Sequence, residues 1–213
     1  MKILSGEFVT SIATGGSLPP SERAVVALVG RSNVGKSSLI NTLVKRRVAR
    51  AGTAPGVTRL LNVYRVCLSA GSRGTKSLTL VDLPGYGYAR GGEQARHRFN
   101  KLTTEFFTVM VEQTTRLGLS TGTTRLAGAI LTVDSRHPGL DSDLAAHAWL
   151  VERHCPLIVV ATKSDQLKRS IKQRVTRDHE IALGCDVLRV SSKTGEGIKT
   201  LWTALTRLVV DLL

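Results

Sequence analysis

The chain has 213 residues, 42% of them hydrophobic, which suffices for one sizeable core and is too apolar for a chain that is disordered throughout. Thirty lysines and arginines against sixteen aspartates and glutamates give a formal net charge of +14, which favours a polyanionic partner, nucleic acid ahead of a membrane surface. No apolar run reaches the roughly 18 residues that span a bilayer, and residues 1–20 lack the pattern of a secretory signal.

Strands and helices alternate along the chain. Short apolar runs predict strands at residues 24–29, 61–68, 77–81, 126–133, 156–161 and 187–190. Helices are predicted at 36–44, 99–114, 144–153 (with Asp141 as N-cap), near 171–183 and at 198–212. This order predicts an α/β fold with a mostly parallel six-stranded sheet, one antiparallel edge strand and helices on both faces. We expect a single domain over residues 1–213, with residues 1–23 as an N-terminal extension packing on it.

A phosphate-binding loop is predicted directly after the first of these strands. Residues 30–37 fit G-x-x-x-x-G-K-[ST], and they stand between a predicted strand and a predicted helix. Glycines allow the backbone to wrap closely round phosphates, so that N–H groups and the helix N-terminus face the anion. Lys36 is expected to reach the β- and γ-phosphates, and Ser37 is expected to offer its hydroxyl to Mg²⁺.

A second motif, which begins with a carboxylate, follows the predicted strand at residues 77–81. Asp82 opens Asp82-Leu83-Pro84-Gly85, and a carboxylate at a strand end beside a phosphate loop can hold the Mg²⁺ shell. Gly85 leaves its N–H free to approach the γ-phosphate. The pattern D-x-x-G is short, so its position after a strand is what favours the metal-side interpretation over a surface turn.

Two further motifs after the last strands indicate guanine. Asp165, in Thr162-Lys163-Ser164-Asp165, can accept both the N1–H and the 2-amino group of guanine, whereas adenine has no donor at N1. Lys163 would lie along the base. Backbone N–H groups of Ser191-Ser192-Lys193 can meet the guanine O6. Each motif is weak by itself, and the four together, each at the end of a strand, favour GTP.

These motifs, in this order, resemble the translation-factor-related small GTPases, and more narrowly the EngB (YihA) family of ribosome-biogenesis GTP-binding proteins. The resemblance covers nearly the whole chain. It is carried by residues 30–41 and 55–58, by Asp82-Leu-Pro-Gly-Tyr-Gly-Tyr-Ala89 and Asp134-Ser-Arg-His-Pro138, and by the guanine motifs. It implies a Ras-like P-loop GTPase fold, GTP hydrolysis with Mg²⁺ and a role in assembly of the large ribosomal subunit.

The resemblance also completes the predicted site. It places Thr58 in the Mg²⁺ shell of the GTP state beside Ser37 and Asp82, and Asn33 where related GTPases bind an activating K⁺. The predicted catalytic residues are Lys36, Thr58 and Gly85. The residues assigned to GTP or GDP are Asn33, Val34, Gly35, Lys36, Ser37, Ser38, Thr162, Lys163, Asp165, Ser191, Ser192 and Lys193.

Tyr86 and the distribution of charge bear on the mechanism. Ras-like enzymes orient water with a glutamine after D-x-x-G, and Tyr86 stands there, so we predict slow intrinsic hydrolysis stimulated by a partner, K⁺ or RNA. No carboxylate occurs between Glu22 and Asp82. GTP is expected to order two switch segments, residues 46–59 and 85–98, which carry Arg46, Arg47, Arg50, Arg59, Arg90, Arg96 and Arg98. We therefore expect the state of the bound nucleotide to control whether this basic surface contacts ribosomal RNA.

The expected partner is therefore the large ribosomal subunit, through rRNA, ribosomal proteins or other assembly factors. We expect a monomer with no membrane partner, in the bacterial cytoplasm or, for a eukaryotic source, the mitochondrial matrix. Two alternatives stay open. One is a GTP-bound interaction module that does not hydrolyse its nucleotide, and the other is a P-loop ATPase or kinase, which Asp165 disfavours.

Overall fold

The computed structural model of this protein describes residues 2–13, 16, 18–19, 24–49, 60–69, 74–86, 101–110 and 124–210. Its strands are β1 Lys2–Ile12, β2 Ala24–Gly30, β3 Leu61–Ser69, β4 Thr75–Asp82, β5 Arg125–Asp134, β6 Leu157–Thr162 and β7 Val187–Arg189. Its α-helices are α1 Lys36–Val44, α2 over residues 101–110, α3 Asp141–Glu152, α4 Lys172–Leu183 and α5 Ile198–Val209, and 3₁₀ turns cover Ser164–Gln166 and Arg169–Ile171.

The mixed α/β architecture is confirmed, with a correction to the sheet. The strand order is β1-β3-β4-β2-β5-β6-β7, so the sheet has seven strands and not the predicted six. β4, β2, β5, β6 and β7 run parallel, and β3 is antiparallel to β4 as predicted. β3 is not the edge strand, because β1 pairs antiparallel with its outer side. Residues 2–12 of the expected N-terminal extension are therefore part of the sheet.

The hydrophobic core has two layers, one on each face of the sheet. Every residue of β2 is buried, and alternate residues point to opposite faces. Val25, Ala27 and Val29 pack in the layer that contains α2, α3 and α4, whereas Val26 and Leu28 pack in the layer that contains α1 and α5. The predicted covering of both faces of the sheet by helices is thereby confirmed.

The carboxyl ends of the parallel strands gather the predicted motifs. β2 ends at Gly30, β4 at Asp82, β5 at Asp134 and β6 at Thr162, and these strands are neighbours in the sheet. In open α/β sheets ligands bind outside these strand ends. Among the helices in the described ranges, none is long and apolar enough to cross a membrane.

Candidate nucleotide-binding site

The phosphate loop turns tightly between β2 and α1. Gly35 takes the N-cap of α1 with φ 116°, a left-handed conformation that favours glycine, and Asn33 is also left-handed with φ 61°. The Lys36 ammonium donates to the carbonyl of Gly30 at 3.0 Å and to that of Arg31 at 3.4 Å. Burial lowers the pKa of Lys36, and the charge of Asp82 offsets part of this effect. A buried cation at a helix N-terminus is a site for an anion.

Ser37 and Asp82 form the metal side of the loop. The Ser37 hydroxyl donates to Asp82 Oδ2 at 3.1 Å, while Asp82 Oδ1 is buried and has no hydrogen-bond partner among the described residues. Burial raises the pKa of Asp82, against the opposing effects of Lys36 and the Ser37 hydrogen bond. A hydroxyl beside an unpaired carboxylate oxygen is the oxygen donor set that Mg²⁺ prefers, so these residues fit the ion. Thr58, the third predicted ligand, lies outside the described residues.

The segment after Asp82 rests on the phosphate loop. The Ser32 N–H donates to the Tyr86 carbonyl at 3.0 Å, and the Ser32 hydroxyl donates to the Gly85 carbonyl at 3.3 Å. A Cβ at Gly85 would collide with the backbone nitrogen of Ser32, so this approach requires glycine. Gly85 therefore lies against the loop on which the phosphates are expected.

Tyr86 points toward helix α3. Its phenol donates to Asp143 Oδ1 at 2.9 Å, and the same oxygen lies 3.2 Å from Arg31 Nε. Burial, reinforced by the nearby Asp143 carboxylate, raises the pKa of Tyr86 far above its ordinary value. Burial also raises the pKa of Asp143, against the opposing effects of Tyr86 and Arg31. The Tyr86 side chain is therefore held against α3 by a hydrogen bond to a buried carboxylate.

The base side of the site is organised around Asp165. The Ser191 hydroxyl donates to Asp165 Oδ1 at 2.6 Å and accepts the backbone N–H groups of Lys193 at 3.2 Å and Thr194 at 3.1 Å. Asp165 follows Ser164 in a 3₁₀ turn, and Lys163, which caps that turn, is left-handed with φ 59°. The carboxylate thus stands at the end of β6, where the sequence predicts guanine recognition.

Lys163 joins the base side to the phosphate loop. Its ammonium donates to the Asn33 carbonyl at 2.7 Å and to Asp134 Oδ2 at 3.0 Å. Arg136 makes two further side-chain contacts with Asp134, at 2.9 Å and 2.7 Å. Burial by itself would raise the pKa of Asp134, but the hydrogen bonds from Arg136 and Lys163 hold it well below its usual range.

The remaining predicted residues lie in the same region. Thr162 Oγ1 donates to the Val34 carbonyl at 2.6 Å, which ties β6 to the phosphate loop. Ser38 is in the first turn of α1, and its carbonyl accepts a hydrogen bond from Thr42 Oγ1 at 2.9 Å. The same Thr42 hydroxyl lies 3.3 Å from the Ser192 carbonyl. The structure brings every predicted site residue together except Thr58, on which it gives no information.

Sequence reasoning missed the carboxylates that hold this site in shape. Asp134 belongs to a segment quoted only for the resemblance, and its contact with Lys163 was not predicted. Asp143 was not predicted to belong to the site. Glu196 was not considered. The signal for Asp134 was present, since an aspartate directly after a buried parallel strand stands at the ligand edge, whereas Asp143 and Glu196 depend on partners distant in the sequence.

The strand-end site defines a class, the P-loop GTP-binding proteins: a phosphate loop with a buried lysine, a hydroxyl–carboxylate pair and a carboxylate for guanine. Residues 25–178 match the family described as 50S ribosome-binding GTPase. The chain is also 36% identical over 210 residues to the probable GTP-binding protein EngB of Geobacillus thermodenitrificans, covering 96% of this chain and 97% of that protein. The chain belongs to the EngB family of GTP-binding proteins.

Other relatives agree with this assignment. Identity to the EngB protein of Leuconostoc citreum is 35% over 212 residues, covering 97% of this chain and 98% of the relative. A crystal structure of a probable GTP-binding protein EngB superposes with a TM-score of 0.59 at 19% identity, covering 88% of this chain and 99% of that one. The structure of Aquifex aeolicus Era bound to GDP and aluminium fluoride superposes with a TM-score of 0.65 at 17% identity, covering 87% of this chain and 57% of that one. At these identities the solved structures show the fold only.

Proposed function

We propose that this protein hydrolyses GTP slowly and acts as a nucleotide-controlled assembly factor for the large ribosomal subunit. Guanine-nucleotide binding follows from family membership, and the rate and the partner are the proposal. Ser37, Asp82 and Thr58 would hold Mg²⁺, which neutralises phosphate charge when bound. Lys36 would bind the terminal phosphates, Gly85 would donate its N–H to the γ-phosphate, and Asp165 would select guanine.

The direction of Tyr86 supports slow intrinsic hydrolysis. Its phenol donates to Asp143 at 2.9 Å, so the side chain that follows D-x-x-G is engaged with α3. A phenol carries its donor and its acceptor on one oxygen, and the Tyr86 hydrogen is already donated to Asp143, so it cannot reproduce the separate donor and acceptor with which a glutamine amide orients the attacking water. Acceleration would then come from outside the chain, from a partner or from K⁺ near Asn33.

The exposed basic surface supports an RNA partner. Lys45, Arg46 and Arg47 are exposed directly after α1, in a chain of net charge +14. They begin the connection that carries Thr58, so the state of the nucleotide could control how they are presented. Arg50, Arg59, Arg90, Arg96 and Arg98 lie outside the described residues. The partner is proposed as rRNA or ribosomal protein of the large subunit, and the protein as a monomer of the bacterial cytoplasm or mitochondrial matrix.

Co-sedimentation with isolated large ribosomal subunits tests the partner. The protein is mixed with large or small subunits in GTP, GDP or no nucleotide, and the bound fraction is measured at several salt concentrations. Binding to large subunits that depends on nucleotide and falls steeply with salt is expected, because phosphate contacts release counterions. Equal binding in all three nucleotide states, or binding that ignores salt, would contradict the proposal.

Single-turnover hydrolysis distinguishes the hydrolase from a GTP-bound interaction module, the alternative that the Tyr86 contact favours. GTP cleavage is followed in Na⁺ and in K⁺ buffer, with and without large subunits. The proposal expects a slow rate in Na⁺ that increases with K⁺ or with subunits. Absence of cleavage under every condition would establish the interaction module instead.

A further inference from the structure

Glu196 lies in the turn between β7 and α5 and binds three side chains from three parts of the fold. Its Oε2 accepts the Lys172 ammonium of α4 at 2.6 Å and the Ser164 hydroxyl at 2.9 Å, and its Oε1 accepts Arg189 Nε of β7 at 2.9 Å. The Lys172 hydrogen bond, followed by those of Arg189 and Ser164, overcomes the effect of burial and lowers the pKa of Glu196 to about 2. The carboxylate is therefore ionised at neutral pH.

The backbone of Glu196 closes the turn that carries Ser191. Its carbonyl accepts the Ser191 N–H at 3.0 Å, and the Gly195 N–H donates to the Ser191 carbonyl at 2.9 Å. The side-chain contacts of Glu196 attach this closed turn to α4 and β7. Ser191 is fully buried and has no contact with solvent, so its position depends on the turn that carries it.

The Ser191 hydroxyl can donate in one direction only. A hydroxyl has one hydrogen and two acceptor lone pairs, and both lone pairs are engaged by the N–H groups of Lys193 and Thr194. Its hydrogen is therefore directed to Asp165 Oδ1, at 2.6 Å. This bond restrains the rotation of the Asp165 carboxylate, which must lie in the plane of the guanine to accept from N1–H and from the 2-amino group together.

Glu196 also holds the residue that precedes Asp165. The Ser164 side chain is fully buried, its hydroxyl donates to Glu196, and its N–H donates to the Val190 carbonyl at 3.2 Å. Glu196 thus restrains Asp165 from two sides: its carboxylate binds Ser164, the neighbour of Asp165 in the chain, and its backbone carbonyl binds Ser191, the neighbour of Asp165 in space. The Ser164 contact is long-range, because Glu196 lies 32 residues after Ser164.

We infer that Glu196 is a positioning residue for guanine selectivity, acting on the base through Asp165 without touching it. The inference rests on guanine-nucleotide binding and is independent of the ribosomal role. It predicts that changing Glu196 lowers the affinity for a nucleotide more when the base carries a 2-amino group. Inosine diphosphate keeps N1–H and O6 but lacks that group, so it reports a single acceptor contact of Asp165, whereas GDP reports both.

The test uses displacement of a fluorescent GDP analogue by GDP, inosine diphosphate and ADP from the full chain. In Glu196→Gln one of the two acceptor oxygens is replaced by a donor group, so the three contacts cannot all be kept. GDP affinity is expected to fall about tenfold, as for a lost hydrogen bond to a charged group, while inosine diphosphate affinity falls less. Glu152→Gln, which removes the same charge from the exposed end of α3, is the matched control and should leave both affinities unchanged.

Ser164→Ala provides a milder variant, because it removes one hydroxyl and one of the two restraints. It should lower the ratio of GDP to inosine diphosphate affinity in the same direction as Glu196→Gln. If both variants weaken the two nucleotides by equal factors, or leave the ratio at the wild-type value, Glu196 only stabilises the fold and the inference is wrong. A wild-type chain that does not prefer GDP to ADP would contradict guanine selectivity itself, and failure to bind ribosomes would affect neither result.

Discussion

Tyr86→Phe separates the structural role of this phenol from a catalytic one. The substitution removes only the hydroxyl that donates to Asp143 Oδ1 at 2.9 Å. Asp143 is 3% exposed, so its carboxylate cannot recover that hydrogen bond readily from water. A hydrogen bond to a charged group contributes about 1.5–3 kcal/mol, and we expect the free energy of unfolding to fall by this amount. At roughly 2–4 °C per kcal/mol for a domain of this size, the thermal midpoint should fall by about 3–12 °C.

The assay pairs calorimetry of the nucleotide-free protein with single-turnover GTP cleavage. Because the phenol is engaged with α3, the cleavage rate should remain unchanged while the thermal midpoint falls. Thr203→Val is the matched control, since it removes an exposed hydroxyl that donates within α5 at 3.1 Å and should change the midpoint little. Two results would refute this reasoning: a midpoint equal to wild type, which means the Asp143 contact is weak, or a reduced cleavage rate at saturating GTP, which means the phenol acts on the reaction.

Three further outcomes follow from the site. Asp82→Asn should abolish the gain in GTP affinity that Mg²⁺ produces, measured by titration with the ion and with a chelator, while Asp141→Asn on the surface of α3 should retain it. Lys36→Met should weaken GTP binding by about 100-fold or more, measured by fluorescence displacement, with a near-native circular dichroism spectrum. The pKa of Glu196 is lowered from 4.5 to about 2, so the stabilisation by its ionised carboxylate is complete above pH 4.5 and is lost as the pH falls toward 2. In acid denaturation, the stability of Glu196→Gln should therefore change less with pH in that window than the stability of the wild type.

The order of elements was predictable because buried parallel strands are continuous apolar runs. The predicted helix at 36–44 has the observed bounds, since its apolar residues lie on one face and a glycine precedes it. β1 was missed for a physical reason. Register shifts between Ile3 and Ser5 and between Phe8 and Thr10 mark bulges, which interrupt the alternation by which an edge strand is recognised. A strand with two bulges carries no simple period of two.

The start of α3 shows a different limit of sequence reasoning. Asp141 was predicted as the N-cap of a helix beginning at residue 144, but the helix begins at Asp141 itself with Leu140 as the N-cap. The positive end of the helix dipole favours aspartates near a helix N-terminus, and the first turn of α3 contains two of them. Spacing does not reveal that Asp143 turns inward, because its partners Arg31 and Tyr86 are more than 50 residues away in the chain. Long-range pairs of this kind organise the site and are invisible to local patterns.

The carboxylate-free stretch from residue 23 to 81 also has a structural interpretation. Part of its positive charge is balanced by carboxylates of the same chain: Arg31 pairs with Asp143, Arg65 pairs with Glu7 at the surface, and Lys36 is buried near the charge of Asp82. The counter-charges lie outside the stretch, so these pairs link it to other parts of the sequence, and the buried Lys36 needs its partner because an isolated buried charge is costly. The basic surface that remains for the proposed contact with RNA is consequently narrower than the composition implies. Within the described part of this stretch, the exposed cations are Lys45, Arg46 and Arg47, which lie beside the segment whose conformation the nucleotide is proposed to control.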